Sequence, residues 1–187
     1  MNPTWIVLGV LALVVLYAIG IYNSLVTLRN MTKAAWKQVD VQLKRRYDLI
    51  PNLVNAVKGS MTYEQETLEK VINARSAAMG AKTPAEVSKA EGELGGMLSK
   101  LMALVESYPD LKAQANIARL MEELSTTENQ VSFTRQHYND TVMRYNTRIQ
   151  VFPANIFAGM FRFTPEEYFA LENPAEREAP KVDLSIK

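Results

Sequence analysis

The side chains that could do chemistry in this 187-residue chain are few. The chain has no cysteine and a single histidine, His137. These counts exclude thiolate nucleophiles, disulfides, cysteine-bound zinc and a histidine-rich metal site. A di-iron site in a helical bundle needs paired Glu-x-x-His motifs, but Thr134 stands three residues before His137. We therefore expect no metal, no cofactor and no catalytic residue.

Charged residues nevertheless occupy the seam of the predicted helices, where apolar residues belong. The set comprises Asp40, Arg46, Asp48, Glu64, Arg75, Glu128 and Arg135. An unpaired buried charge costs several kcal/mol, so these residues should pair across helices, for example Arg75 with Glu128. We interpret the set as a buried polar seam that fixes the register of the helices. One alternative is a site for a polar ligand. The other is an enzymatic role for Asp40, Arg46 and Asp48 together with Glu128.

The first element that must position this seam is a long helix. Apolar or seam residues recur in steps of three and four from Trp36 to Arg75, with one extra step after Val57. Pro51 lies inside this pattern and lacks the amide that a helix interior needs. We predict a kinked but continuous helix that ends near Met79.

Two further helices follow in the pattern. Residues Thr83-Pro84-Ala85-Glu86 form a capping box with proline at the first helical position, which predicts a helix that ends near Ser107. From Ile117 to Phe152 the seam runs without a slip, and Pro153 ends it. A second cap, Thr164-Pro165-Glu166-Glu167, predicts a short last helix.

The predicted fold is all-α. An N-terminal single-pass transmembrane helix leads into an elongated antiparallel three-helix bundle of the coiled-coil type, followed by the short C-terminal helix. The predicted divisions are an anchor at 1–28, the bundle at 29–171 and a disordered polar tail at 172–187.

The anchor is predicted from the stretch Thr4–Leu28, which carries no charged side chain. A helix of about 20 apolar residues spans the ~30 Å hydrocarbon core of a bilayer. The expected lipid-facing residues are Trp5, Leu8, Leu11, Val14, Leu16, Ile19 and Tyr22. A cleaved signal peptide and a buried core helix are the alternatives, but no basic residue precedes the apolar stretch as a signal peptide requires.

Basic residues that follow the anchor set its orientation and its lipid contacts. Arg29, Lys33 and Lys37 come directly after the apolar stretch. The positive-inside rule then places the N-terminus outside and the bundle in the cytoplasm, at the inner membrane of a bacterium. The same three side chains are expected to contact anionic lipid head groups. The net charge of +1 gives no reason to expect nucleic acid as a partner.

The end of the third helix suggests a protein partner. If three helices zigzag, that end overshoots its neighbours and exposes an apolar stripe, which is unfavourable in water. Its expected oligomer or partner contacts are Tyr138, Val142, Tyr145, Ile149, Phe152, Phe157 and Phe161. Burial of the stripe within one chain would remove this reason to expect a homo-oligomer.

Several motifs together resemble the LemA family. They are Trp36-Lys37-Gln38-Val39-Asp40, Arg46-Tyr47-Asp48 with Pro51-Asn52, Ala74-Arg75-Ser76, Glu106-Ser107-Tyr108-Pro109, Thr127-Glu128-Asn129, Arg135, Tyr138-Asn139, Tyr145-Asn146 and Phe152-Pro153. The resemblance implies a bacterial, single-pass, helical membrane protein without an established biochemical activity. It also implies a link to the cell envelope, because relatives take part in organising magnetosome membranes. It supplies no catalytic residue.

The function we expect from these features is structural. A non-enzymatic membrane protein would self-assemble at the cytoplasmic face and organise or shape the bilayer. The alternative is a membrane-tethered adaptor or sensor that serves a partner membrane protein, such as a protease or a signalling protein.

Overall fold

The computed structural model describes residues 3–59 and 65–169, which fold as helices and connecting segments with no strand among them. The helices are α1 (Pro3–Lys58), α2 (Gln65–Gly80), α3 (Pro84–Ser107), α4 (Pro109–Lys112), α5 (Ala115–Gln150) and α6 (Ala154–Met160). The all-α class and the long apolar N-terminal helix are confirmed. The predicted tail at 172–187 and seam residue Glu64 lie outside the described residues.

Helix α1 passes through Pro51 without a break but ends earlier than predicted. Its last residue is Lys58, and the amide of Gly59 donates to the carbonyl of Asn55 at 3.1 Å. Glycine is a poor helix former, which accounts for the end of the helix at this point. The single helix predicted to continue to Met79 is therefore wrong, because its second half is the separate helix α2.

The chain divides into two compact units, and α1 and α5 each contribute to both of them. Among the described residues, unit 1 comprises 3–43 and 129–168, and unit 2 comprises 44–59, 65–128 and Phe169. Unit 1 is thus built from two distant parts of the sequence, whereas most of unit 2 is one continuous stretch.

Besides the four-residue α4, unit 2 contains one long helix more than the predicted three, and this additional helix is α2. Helix α2 turns back along α1, since Lys58 and Gln65 line one cavity and Arg75 contacts Tyr47. Helix α3 then turns back along α2. The predicted capping box starts α3: the Glu86 amide donates to the Thr83 hydroxyl, and the Thr83 amide donates to the Glu86 carboxylate.

In unit 1 helix α5 runs antiparallel to α1 and returns to its apolar part. The ring of Trp36 lies 5.1 Å from that of Tyr138, while Ile21 and Leu25 form a buried cluster with Tyr145 and other α5 and α6 residues. The additional helix reverses the direction that the zigzag predicted for the last long helix. Its end therefore lies against α1 and does not overshoot, and the part of the predicted stripe from Tyr138 to Ile149 is buried.

Residues 163–168 form an extended segment that side chains of α5 hold by its backbone. The Tyr145 hydroxyl donates to the Thr164 carbonyl at 2.9 Å, and the Tyr138 hydroxyl donates to the Glu167 carbonyl at 2.7 Å. The side chain of Asn146 donates from Nδ2 to the backbone carbonyl of Glu166. Its Oδ1 accepts from the backbone amide of Glu166, and both distances are 2.9 Å. The short helix predicted to begin at Thr164 is wrong over the described residues, because these side chains already use the backbone groups that a helix would need.

Replacement of Asn146 by alanine should release this segment. Asn146→Ala removes two hydrogen bonds and leaves the amide and carbonyl of Glu166 without them, at a cost of about 1–3 kcal/mol. We expect the amides of 163–168 to exchange hydrogen roughly tenfold faster or more, measured by mass spectrometry. The matched control is Asn129→Ala, an exposed position on the same helix. Unchanged exchange in Asn146→Ala would contradict this account of the segment.

Candidate functional site

A buried ion pair forms the polar centre of unit 2. The Arg46 side chain donates from Nη1 to Glu91 Oε2 at 2.8 Å, and the Tyr47 hydroxyl donates to Glu91 Oε1 at 2.7 Å. Arg46 and Glu91 are each only 4% exposed. Both oxygens of the carboxylate therefore have a donor, which offsets the cost of removing this charge from water.

Neighbouring groups extend this polar centre. The Nε of Arg75 donates to the Tyr47 carbonyl at 2.7 Å and so ties α2 to α1. Glu128 Oε1 lies 3.9 Å from Arg46 Nη2, but its side chain is largely exposed. The predicted pair of Arg75 with Glu128 is therefore wrong, because Arg75 binds the backbone carbonyl of Tyr47 and Glu128 lies nearest the side chain of Arg46.

The predicted seam is only partly a buried set. Asp40, Asp48 and Glu128 are exposed, contrary to the prediction, because they lie on the outer faces of their helices. Arg46 is buried, and Arg75 and Arg135 are half-buried.

Sequence reasoning missed Glu91 and Tyr47, which complete the polar centre. Glu91 stands three residues before Leu94 on the apolar face of α3, which continues with Leu98 and Leu101. A lone carboxylate on such a face was the available signal. The described residues contain no group of three or more histidine, aspartate or glutamate side chains that could hold a metal ion.

The second notable region is an aromatic cluster at the start of unit 1. The ring of Tyr22 on α1 lies 4.9 Å from that of Phe161 and 5.9 Å from that of Phe163, both in edge-to-face geometry. The Arg29 guanidinium lies 6.0 Å from the centre of the Phe163 ring, and its Nε lies 3.9 Å from Glu166 Oε1. The first charge after the apolar stretch is thus held by the extended segment 163–168.

The predicted partner contacts separate into two groups. Four residues of the stripe, Tyr138, Val142, Tyr145 and Ile149, are buried. Their assignment as a docking surface is therefore wrong, since they pack inside unit 1. Phe152 and Phe161 are exposed and Phe157 is half-buried. These three remain available to a partner.

All of the predicted membrane contacts except Arg29 are exposed. The seven expected lipid-facing residues of α1 are exposed, and so are Lys33 and Lys37. Arg29 is half-buried by its contacts with Phe163 and Glu166. Helix α1 is the one helix among the described residues that is long and apolar enough to cross a membrane, and only 6% of its most apolar 18 residues are buried. A soluble core helix would be mostly buried.

The family relationship agrees with this arrangement. A model of the LemA family matches residues 35–184. The chain belongs to the LemA family. The match begins next to Trp36 and includes the residues that form both the polar centre and the contacts of the extended segment, namely Arg46, Arg75, Tyr138, Tyr145 and Asn146.

Individual relatives are distant. Magnetosome protein MamQ 2 of Paramagnetospirillum magneticum is 26% identical over 180 residues, which cover 82% of this chain and 66% of the relative. MamQ of Magnetospirillum gryphiswaldense is 24% identical with the same coverage. Protein LemA of Metamycoplasma hominis is 26% identical over 144 residues, which cover 75% of this chain and 64% of the relative. The chain thus spans just under two thirds of the length of these relatives.

Loss of the buried carboxylate should destabilise this LemA-family protein strongly. Glu91→Ala leaves the Arg46 guanidinium buried without its main partner, so we expect the free energy of unfolding to fall by about 3–5 kcal/mol. Urea denaturation of the full chain in mild detergent, followed by circular dichroism, measures it. The control is Glu93→Ala, an exposed carboxylate on the same helix, which should change stability by about 0.5 kcal/mol or less. Equal effects of the two substitutions would refute a structural role for the pair.

High pH should weaken unit 1 through Tyr138. Burial, and then the nearby carboxylates of Glu166 and Glu167, raise the pKa of Tyr138 to about 12. Between pH 10 and pH 12 the unfolded chain releases the phenol proton while the folded protein keeps it, so stability falls as pH rises. Tyr138→Phe has no such proton and should lose less stability over this range, measured by thermal unfolding. The control Tyr108→Phe, at an exposed tyrosine, should follow the unmodified protein. A Tyr138→Phe profile parallel to that of the unmodified protein would contradict the assignment.

Proposed function

We propose that this LemA-family protein is a single-pass protein of the bacterial inner membrane, with its N-terminus outside and its helical units in the cytoplasm. There it acts as a non-enzymatic scaffold that organises or shapes the membrane. The observation that carries the proposal is the exposed apolar part of α1, which continues without interruption into the packed helices. An apolar surface of this length is favourable in lipid and unfavourable in water.

Two further observations support this function. The basic side chains Arg29, Lys33 and Lys37 follow the apolar part directly, which fits a cytoplasmic side and anionic lipid head groups. The buried charges of unit 2 bind one another, as Arg46 and Glu91 do, and so serve the fold rather than a substrate. Two of the relatives carry the name magnetosome protein, and we extend from them only the idea of a role in membrane organisation.

Burial of the stripe on α5 changes how the scaffold would find partners. The stripe no longer gives a reason for self-assembly, because α1 and the segment 163–168 cover it. This observation favours the second candidate function, a membrane-tethered adaptor for a protease or a signalling protein. The mass of the full chain in mild detergent, measured by light scattering, separates the two. A defined multimer supports a self-assembling scaffold, whereas a monomer that binds a second protein supports an adaptor.

The proposed topology can be tested with single cysteines, since the chain has none of its own. A membrane-impermeant maleimide should label Asn2→Cys in cells with a permeable outer envelope and an intact inner membrane. Ser99→Cys, on an exposed face of α3, should react only after the inner membrane is disrupted. The cysteine-free protein is the control for background. The opposite labelling pattern would reverse the orientation, and recovery of the protein in the soluble fraction would refute the anchor.

A further inference from the structure

Helix α6 lies against the apolar part of α1, which precedes Arg29, the first charged residue of the chain. An apolar groove of about 350 Å³ separates the two helices. Its lining is Val15, Ala18, Ile19 and Tyr22 from α1, with Phe157, Met160 and Phe161 from α6 and the residue that follows it. The only polar side-chain atom in this lining is the Tyr22 hydroxyl.

Helix α6 buries small side chains and exposes large apolar ones, together with the polar Asn155. Ala154 and Ala158, one turn apart, are buried in the cluster with Ile21, Leu25 and Tyr145. Other residues of α6 and its two ends expose large apolar side chains: Phe152 at 79%, Ile156 at 54%, Met160 at 68% and Phe161 at 52%. The stretch 149–161 contains no charged residue. Apolar groups concentrated in this way on a free surface mark a contact with another apolar phase.

The position of the groove along α1 identifies that phase. At ~1.5 Å per residue, Val15 and Tyr22 lie 16 and 27 Å along the helix from Thr4. A hydrocarbon core of ~30 Å that begins at Thr4 therefore includes both of them. Because α6 packs against this part of α1, it must lie at the same depth in the bilayer.

The backbone of α6 is suited to low dielectric. Before the helix, the amide of Val151 donates to the Thr147 carbonyl, and in the first turn of α6 the amide of Asn155 donates to the Val151 carbonyl. After it, the amides of Phe161, Arg162 and Phe163 donate to carbonyls of α6. Non-helical backbone at membrane depth requires such internal partners, because lipid tails offer none.

A cation stands at the end of α6. Arg162 has a φ of 55°, a left-handed conformation that glycine usually occupies at this position of a helix cap. Arginine adopts it at a cost of about 1 kcal/mol or more. The exposed guanidinium can extend from here to the polar surface of a bilayer, as arginine does at membrane interfaces.

From these observations we infer that α6 is a second membrane-embedded element of this chain. It enters the cytoplasmic leaflet beside α1, and the groove between them holds one acyl chain of a phospholipid whose head group lies near Arg162. This inference rests on the proposed anchor, since the depth of α6 is fixed through α1. In addition to the anchor, α6 would then provide a binding site for one lipid and occupy volume in the cytoplasmic leaflet alone.

Depth measurements on the full chain in phosphatidylcholine and phosphatidylglycerol vesicles test the position of α6. Nitroxide labels are placed on single cysteines at Ile156, at Leu11 in the anchor and at Gln136 on the exposed face of α5. Accessibility to oxygen and to a water-soluble nickel complex then gives the environment of each label. We expect Leu11 and Ile156 to report lipid and Gln136 to report water. A label at Ile156 that reports water while Leu11 reports lipid overturns the inference and leaves the anchor intact. Water at Leu11 refutes the anchor itself.

Occupancy of the groove is tested by filling it. Ala18→Phe places a ring in the groove, whereas Ala12→Phe adds the same ring to a part of α1 outside it. Native mass spectrometry counts the phospholipids retained by the full chain after extraction in mild detergent. We expect Ala18→Phe to retain one phospholipid fewer than the unmodified protein and Ala12→Phe to retain the same number. Equal retention by all three proteins overturns the acyl-chain site.

Discussion

Polar groups that leave water must find partners inside the protein, and this requirement determines which contacts hold each unit together. In unit 2 the Glu91 carboxylate is buried and takes its donors from Arg46 and Tyr47. In unit 1 the backbone of segment 163–168 would lack partners beside α5 without Tyr138, Tyr145 and Asn146. The apolar contacts of each unit supply most of the stabilising burial, but these polar contacts select which helix faces meet.

The same requirement bears on function. A charged residue that is committed to a buried pair is costly to withdraw for catalysis, and a side chain that holds a backbone segment cannot also move with a substrate. The groups that stay accessible in unit 1 are mainly apolar and lie along α1 and α6. These apolar side chains are the basis of the lipid contact proposed above for this member of the LemA family.

The sequence correctly predicted those helices that are determined by residues close to one another in the chain. The capping box at Thr83 to Glu86 starts α3 as expected, and the uninterrupted seam of α5 marks a real helix. The end of α1 at Lys58 was missed because one glycine is a weak signal beside a continuing apolar pattern. The second cap, at Thr164, failed for a different reason. Its backbone groups are used by α5 side chains some twenty residues earlier in the chain, and no local pattern reports that competition.

The candidate site shows the same division. Exposure of the apolar part of α1 followed directly from its composition, as did the accessibility of Lys33 and Lys37. Which charges would be buried did not follow, because a seam position indicates a face but not the partner that covers it. Arg46 and Asp48 are two residues apart, yet one is buried and the other exposed. Only the direction of α3, set by the additional helix, brings Glu91 rather than Glu128 into hydrogen-bonding distance of Arg46.

The division of the chain also sets an order for its synthesis on the ribosome. The stretch Lys44–Glu128 contains nearly all of unit 2 and can begin to fold as soon as it has emerged. Unit 1 cannot be completed at that stage, because the first 43 residues wait for Asn129–Tyr168. During this interval Ile21 and Leu25 lack the α5 and α6 residues that later bury them. Nascent α1 therefore lacks the cover of α5 and α6 at the stage when the proposed anchor enters the bilayer, and these final partners arrive last.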